Sequence, residues 1–202
     1  MYPFFYIILY ILFFKYIFGK NQIQIYFFYI QYIMEEIINF EYPVNRNRRE
    51  TKFGKGKDDS EIHRGMALGL VNIRPYHQQT YGYLPQQECR LLQMPKYINF
   101  YNLVKKWFKE TYPYHFDYST IQFNKNNQCA KHIDANNVGV SVICGLGDYT
   151  GGRLIIYDYE GEEKKYIDIK NRFFKFNGSK YYHETEAFEG TRITLIFFDI
   201  RK

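Results

Sequence analysis

From Pro113 onward the chain is cut into short apolar segments by turn-forming dividers at intervals of about ten residues. Strands are predicted near 119–123, 139–144, 153–159, 165–169, 173–176 and 192–198, and the dividers read "GLGDYTGG", "YEGEE", "NGSK" and "EGT". Short strands at that spacing build an antiparallel sandwich or barrel, because each strand can bury one face only against a second layer. Aromatic residues make up 21% of the 202-residue chain, which suits a pleated, half-buried surface.

The region before Pro113 reads differently. Residues 97–110, "YINFYNLVKKWFKE", place Ile98, Phe100, Tyr101, Val104, Trp107 and Phe108 at helical spacing, with Pro95 and Pro113 bracketing the helix. That stripe is core. Residues 61–95 show no clear period and read as loops and short strands. Residues 45–57, "NRNRRETKFGKGK", are densely basic; the ordinary reading is a solvated loop, and the sharper one is an arm that contacts phosphates. Net charge is +6, a balance compatible with nucleic acid, acidic membranes or acidic small molecules.

Residues 1–33 form an apolar N-terminal segment. The run 2–18 is broken only by Lys15, and no acidic residue precedes Glu35. It is a little short for a membrane span, so three readings stand: a mis-assigned start with the working protein opening at Met34, an anchor, or a core helix. Residues 34–202 then form one domain, with its β core at about 114–200. Three scattered cysteines (Cys89, Cys129, Cys144) suggest no disulfide framework and a reducing compartment, cytoplasmic or nuclear. A monomer is expected.

Two short patterns need bland alternatives. "GLGDYTGG" lacks the Lys-Ser/Thr and following helix of a phosphate loop, so a hairpin turn is expected there. "NGS" at 177–179 is read as a turn rather than a glycosylation acceptor.

The chemistry concentrates in His132-Ile133-Asp134. Positions i and i+2 share a strand face, so His and Asp can point at one ion. Two His and one carboxylate on one face of a metal leave positions open, the arrangement of non-haem Fe(II) oxygenases. The distant His183 supplies a third ligand. Arg192 and Thr194, side by side on the last strand, can hold a carboxylate through charge-assisted hydrogen bonds. Gln122 and Asn124 share one strand face, opposite Ile121 and Phe123, pointing either into a barrel or to solvent. A second His-x-Asp, His115 and Asp117, directly follows a helix end and reads as surface. No second Cys lies at zinc-site spacing from Cys129.

With these residues in place, the stretch 119–198 resembles the core of the 2-oxoglutarate- and Fe(II)-dependent dioxygenases. The fold this implies is α+β with a mainly β core: a double-stranded β-helix (jelly roll) with N-terminal helices packed on one side. The resemblance implies iron held by His132, Asp134 and His183, with the far carboxylate of 2-oxoglutarate on Arg192, assisted by Thr194; if their face points into the barrel, Asn124 and Gln122 can hydrogen-bond the co-substrate as well. O2 is the second co-substrate, and a substrate C–H bond is hydroxylated as the keto-acid is decarboxylated to succinate. "NKNNQCAKHIDANNVG…GLGDYTGGRL" is most similar to the TET/JBP branch, which oxidises base methyl groups; there Asn137 would contact the base, and nucleic acid would be the partner. Prolyl- or lysyl-type protein hydroxylation, or a non-catalytic jelly-roll binding module, are the alternative readings.

Overall fold

The computed structural model describes residues 24–44, 64–72, 86–158 and 163–201. The apolar run 2–18, the basic stretch 45–57, His63 and His77 lie outside the described residues.

Two helices and eleven strands are present among them. Helix α1 covers residues 24–39, and α2 covers Pro95–Thr111 after a short 3-10 turn at Arg90–Gln93. The strands are β1 (Arg64–Asn72), β2 (Gln86–Glu88), β3 (Thr120–Lys125), β4 (Val138–Leu146), β5 (Tyr149–Gly151), β6 (Leu154–Tyr157), β7 (Lys164–Ile167), β8 (Phe173–Phe176), β9 (His183–Thr185), β10 (Phe188–Gly190) and β11 (Ile193–Asp199). A six-stranded sheet runs β2-β1-β3-β11-β4-β8, a three-stranded sheet β7-β6-β9, and β10 pairs with β5. All named strand pairs are antiparallel.

α2 begins at Pro95, whose missing N–H costs nothing in the first turn, and its last bond runs from Tyr112 N–H to Phe108 O, just before Pro113. Tyr97, Phe100, Val104, Trp107 and Phe108 are its buried residues, and Ile98 and Tyr101 are half-buried. They meet the six-stranded sheet: the Phe108 ring stacks on Phe197 at 3.8 Å, and Phe100 lies 5.2 Å from Phe123. α1 adds Ile33 and Ile37 to the same core, and Tyr42 Oη donates to Ile37 O at 2.7 Å. The helices thus form a layer on one face of the large sheet. On its other face a smaller cluster of Ile143, Leu154, Ile169 and Phe176, with Ile156, Ile167 and Ile196, joins it to the three-stranded sheet.

Two local readings change. Residues 64–72 form a nine-residue strand paired to β3, a larger element than loops and short strands. "GLGDYTGG" is not a hairpin turn. Positive φ at Gly147, Gly151 and Gly152 (108°, 70° and 66°) turns the chain out of the β4 sheet, so that β5 pairs with β10 instead. "NGS" is a turn, with Lys180 and Tyr181 N–H both donating to Asn177 O.

Candidate metal centre

Strands β3 and β11 form the wall between the helix-covered core and a cavity of about 130 Å³ between the sheets. Their alternation sorts the side chains. Ile121, Phe123, Ile193, Leu195 and Phe197 are fully buried in the aromatic core. Gln122, Asn124, Arg192 and Thr194 point the other way and line the cavity. His132, Asp134 and His183 line it as well.

The two histidines come from distant segments and are held by an antiparallel bridge: His132 N–H donates to His183 O at 3.0 Å, and His183 N–H to His132 O at 2.9 Å. Their rings are 4.3 Å apart. Each Nδ1 lies against the carbonyl two residues back, His132 on Ala130 O at 2.7 Å and His183 on Tyr181 O at 3.1 Å. A carbonyl can only accept, so Nδ1 carries the proton, and in the neutral ring Nε2 is the nitrogen that offers its lone pair. Both Nε2 atoms point at Asp134, 3.6 Å from Oδ1 for His132 and 3.6 Å from Oδ2 for His183. One donor atom from each of the three residues lies within 4.8 Å of the others, which suits a single cation.

Asp134 is fixed from two sides. Its N–H donates to Gly178 O at 2.9 Å, and Asn137 Nδ2 donates to its Oδ2 at 3.1 Å. A Cβ at Gly178 would fall 2.9 Å from Asp134 Oδ2 and 3.3 Å from His183 Cε1, so any side chain there would have to displace the Asp134 carboxylate. His115 and Asp117, the other His-x-Asp, are solvent-exposed and 3.7 Å apart, away from the cavity.

Arg192 is 3% exposed. Its Nε donates to Gly152 O at 3.1 Å, and its guanidinium lies 5.6 Å from the Tyr149 ring and 5.4 Å from Phe188. Its backbone is pinned by Asn126, whose Oδ1 accepts from Arg192 N–H at 2.8 Å. Gly152 makes the room, since a Cβ there would sit 2.8 Å from Arg192 Nε. Burial pulls the Arg192 pKa below its ordinary value, with Tyr149 and Cys129 opposing. Among the described residues no carboxylate lies within ion-pair distance of it. A buried cation in that position calls for an anion. Beside it, Asn124 Nδ2 donates to Thr194 Oγ1 at 3.3 Å, and Gln122 Nε2 to Asn124 Oδ1 at 3.1 Å.

Sequence reasoning missed Asn127. It is 3% exposed and lines the cavity, and its Oδ1 is buried with no hydrogen-bond partner among the described residues. A polar residue two beyond a strand end gives no period by which to find it. Gly178 and Gly152 were also missed as site residues, because their roles are clearances set by neighbours remote in sequence.

No protein-family model matches the chain, and no curated protein matches it in sequence. Solved structures do. An oxidoreductase of the 2OG-Fe(II) oxygenase family from Burkholderia pseudomallei superposes with a TM-score of 0.50 at 15% identity, over 84% of this chain and 76% of that one. What the two share is the fold. A prolyl-4-hydroxylase from Pseudomonas putida gives a TM-score of 0.46 at 13% identity, over 86% and 87% of the two chains. NgTET1 in complex with 5mC DNA gives 0.44 at 15%, over 68% and 61%. The mostly antiparallel sheet with two helices is consistent with the β-rich jelly roll of such oxygenases.

Proposed function

We propose that the protein is an Fe(II)- and 2-oxoglutarate-dependent dioxygenase built on a double-stranded β-helix. The observation that carries this reading is one cavity holding two opposed donor sets. At one point His132, Asp134 and His183 present two neutral imidazole nitrogens and a carboxylate. Elsewhere in the same cavity Arg192 presents a buried positive charge with no carboxylate at ion-pair distance among the described residues. The donor chemistry fits a borderline divalent ion such as Fe(II), and it leaves coordination positions open. Iron with O2 and the keto-acid supplies oxidative power sufficient to hydroxylate a C–H bond, with succinate and CO2 as by-products.

The residues of the chain do the rest. The paired backbone bonds of His132 and His183 set the spacing of the imidazoles, and the Ala130 and Tyr181 carbonyls hold both rings in the tautomer that offers Nε2. Arg192 binds the far carboxylate of 2-oxoglutarate, with Thr194 as a hydroxyl donor beside it. Asn124 orients Thr194, and Gln122 orients Asn124. Ile143, Leu154 and Phe176 give the cavity apolar walls that exclude water.

For the substrate we propose the methyl group of a modified nucleic-acid base. Asn137 supports this reading: its Nδ2 is committed to Asp134, while its Oδ1 remains an acceptor next to the metal ligands, suited to the exocyclic amine of a base. The net charge of +6 favours a polyanion. Succinate release is to be measured with 5-methylcytosine DNA, unmodified DNA and proline- or lysine-rich acidic peptides. Turnover with methylated DNA alone, falling steeply with salt, is the expected result. Turnover with peptide alone would keep the oxygenase and replace its substrate with a protein side chain. No succinate with any of them, or release that persists in Asp134→Ala, would leave a binding module.

A further inference from the structure

A separate surface lies on the helix layer, across the large sheet from the cavity. The inner face of α1 belongs to the core, with Ile33 and Ile37 fully buried. Its outer face carries Ile25 (66% exposed), Phe28 (62%) and Tyr32 (55%) at positions i, i+3 and i+7, with Phe27 (47%) nearby. Large apolar side chains grouped on two turns mark a contact surface, whereas single exposed ones do not.

This half of α1 lies against the C-terminal half of α2. Tyr26 Oη donates to Glu110 O at 3.3 Å, and Lys106 Nζ sits 4.8 Å above the Tyr29 ring. That part of α2 carries the exposed Lys105, Lys106 and Lys109. Glu110 also lies at this end, 4.0 Å from Lys106, while Glu35, Glu36 and Glu41, the last held by Lys96 at 2.7 Å, lie towards the other end of the pair. In sequence the apolar end continues from the run 2–18, and no acidic residue precedes Glu35.

We propose that this end of the helix layer docks on an anionic lipid surface. Ile25, Phe28 and Tyr32 would enter the boundary between headgroups and acyl chains, and the α2 lysines would meet lipid phosphates. Apolar and aromatic side chains flanked by lysines match the two media that meet at such a surface. A nucleic acid would use the lysines and leave the apolar group in water. A second copy packed on the same face by two-fold symmetry would bring lysines close to lysines. Among the described residues no helix is long and apolar enough to cross a membrane. The cavity, on the opposite face of the large sheet, stays clear of it.

Flotation of the full chain with vesicles tests this. Vesicles of phosphatidylcholine with phosphatidylserine should bind the protein at least about 10-fold more tightly than phosphatidylcholine alone, and added salt should weaken the binding. Replacing Lys105, Lys106 and Lys109 by Gln should lower affinity on the order of 100-fold, about 5-fold per lysine. Replacing Ile25, Phe28 and Tyr32 by Ser should also lower it at least about 10-fold, with circular dichroism unchanged. Wild-type binding in both triple variants would overturn the proposal and assign attachment elsewhere in the chain. So would equal binding to both vesicle types. Absence of vesicle binding, with a dimer in sedimentation that the serine variant dissolves, would overturn it in favour of a second copy.

Discussion

The two faces of the β3–β11 pair are built from adjacent residues yet differ in kind. One face, with Ile121, Phe123, Leu195 and Phe197, is fully buried against the helix layer. The other, with Gln122, Asn124 and Thr194, and with Arg192 just before β11, buries polar side chains beside the apolar Ile196 and Phe198. Burial of the first face is stabilising, at roughly 1.5–3 kcal/mol for each large side chain. Burial of the second is costly unless each polar group finds a partner. The strand pair therefore separates stability from chemistry by the two-residue period alone, and a one-residue slip in register would exchange them.

The sharpest break in this comparison comes from the polar side. His183→Ala removes one proposed ligand and one half of the facing imidazole pair. It should abolish turnover and weaken Mn(II) or Co(II) binding by more than about 100-fold in calorimetry, with the melting temperature of the metal-free protein little changed. On the apolar side, Phe123→Ala empties a fully buried site and should cost about 3–5 kcal/mol in denaturant unfolding. Metal affinity per folded molecule should hold. If Phe123→Ala harmed the site as much as the fold, the two faces would not be separable.

Arg192→Ala comes next. It should raise the Kd for 2-oxoglutarate about 100-fold through loss of paired charge-assisted bonds, while metal affinity stays within a few-fold of wild type. Gly178→Ala pushes a methyl group towards Asp134 Oδ2, Phe176 and His183, and should cost about 10-fold in metal affinity. The smallest effect is at the far end of β11. Arg201 holds the Asp199 carboxyl down at about 2, below its ordinary 3.8. A depressed carboxyl contributes stability above its unfolded pKa and loses it as pH falls through the folded one. Asp199→Asn should therefore cost ~0.5 kcal/mol at neutral pH, and the difference from wild type should fade between about pH 4 and pH 2.

The same period explains what could be read without coordinates. Ile121 to Asn124 and Arg192 to Thr194 alternate strictly, so the shared face of each pair was legible, but whether Gln122 and Asn124 face the cavity or solvent is decided only in the folded sheet, where β3 pairs with β11. The helix at 95–111 was legible from its stripe and its prolines. β5, β9 and β10 are three residues each, too short to show a period, and they take their partners from remote chain. β1 was hidden because Gly65 and Gly69 dilute its pattern. Asn127, and the glycines that clear space for Asp134 and Arg192, are defined by neighbours that only the folded chain supplies.

The convergence of His132, Asp134 and His183 with Arg192 is tested most directly by anaerobic spectroscopy. Fe(II) and 2-oxoglutarate added together to the wild-type protein should produce a weak visible charge-transfer band, absent with either alone. The band should be lost in His183→Ala and should require far more 2-oxoglutarate in Arg192→Ala. No band in wild type, or an unchanged one in His183→Ala, would contradict the account.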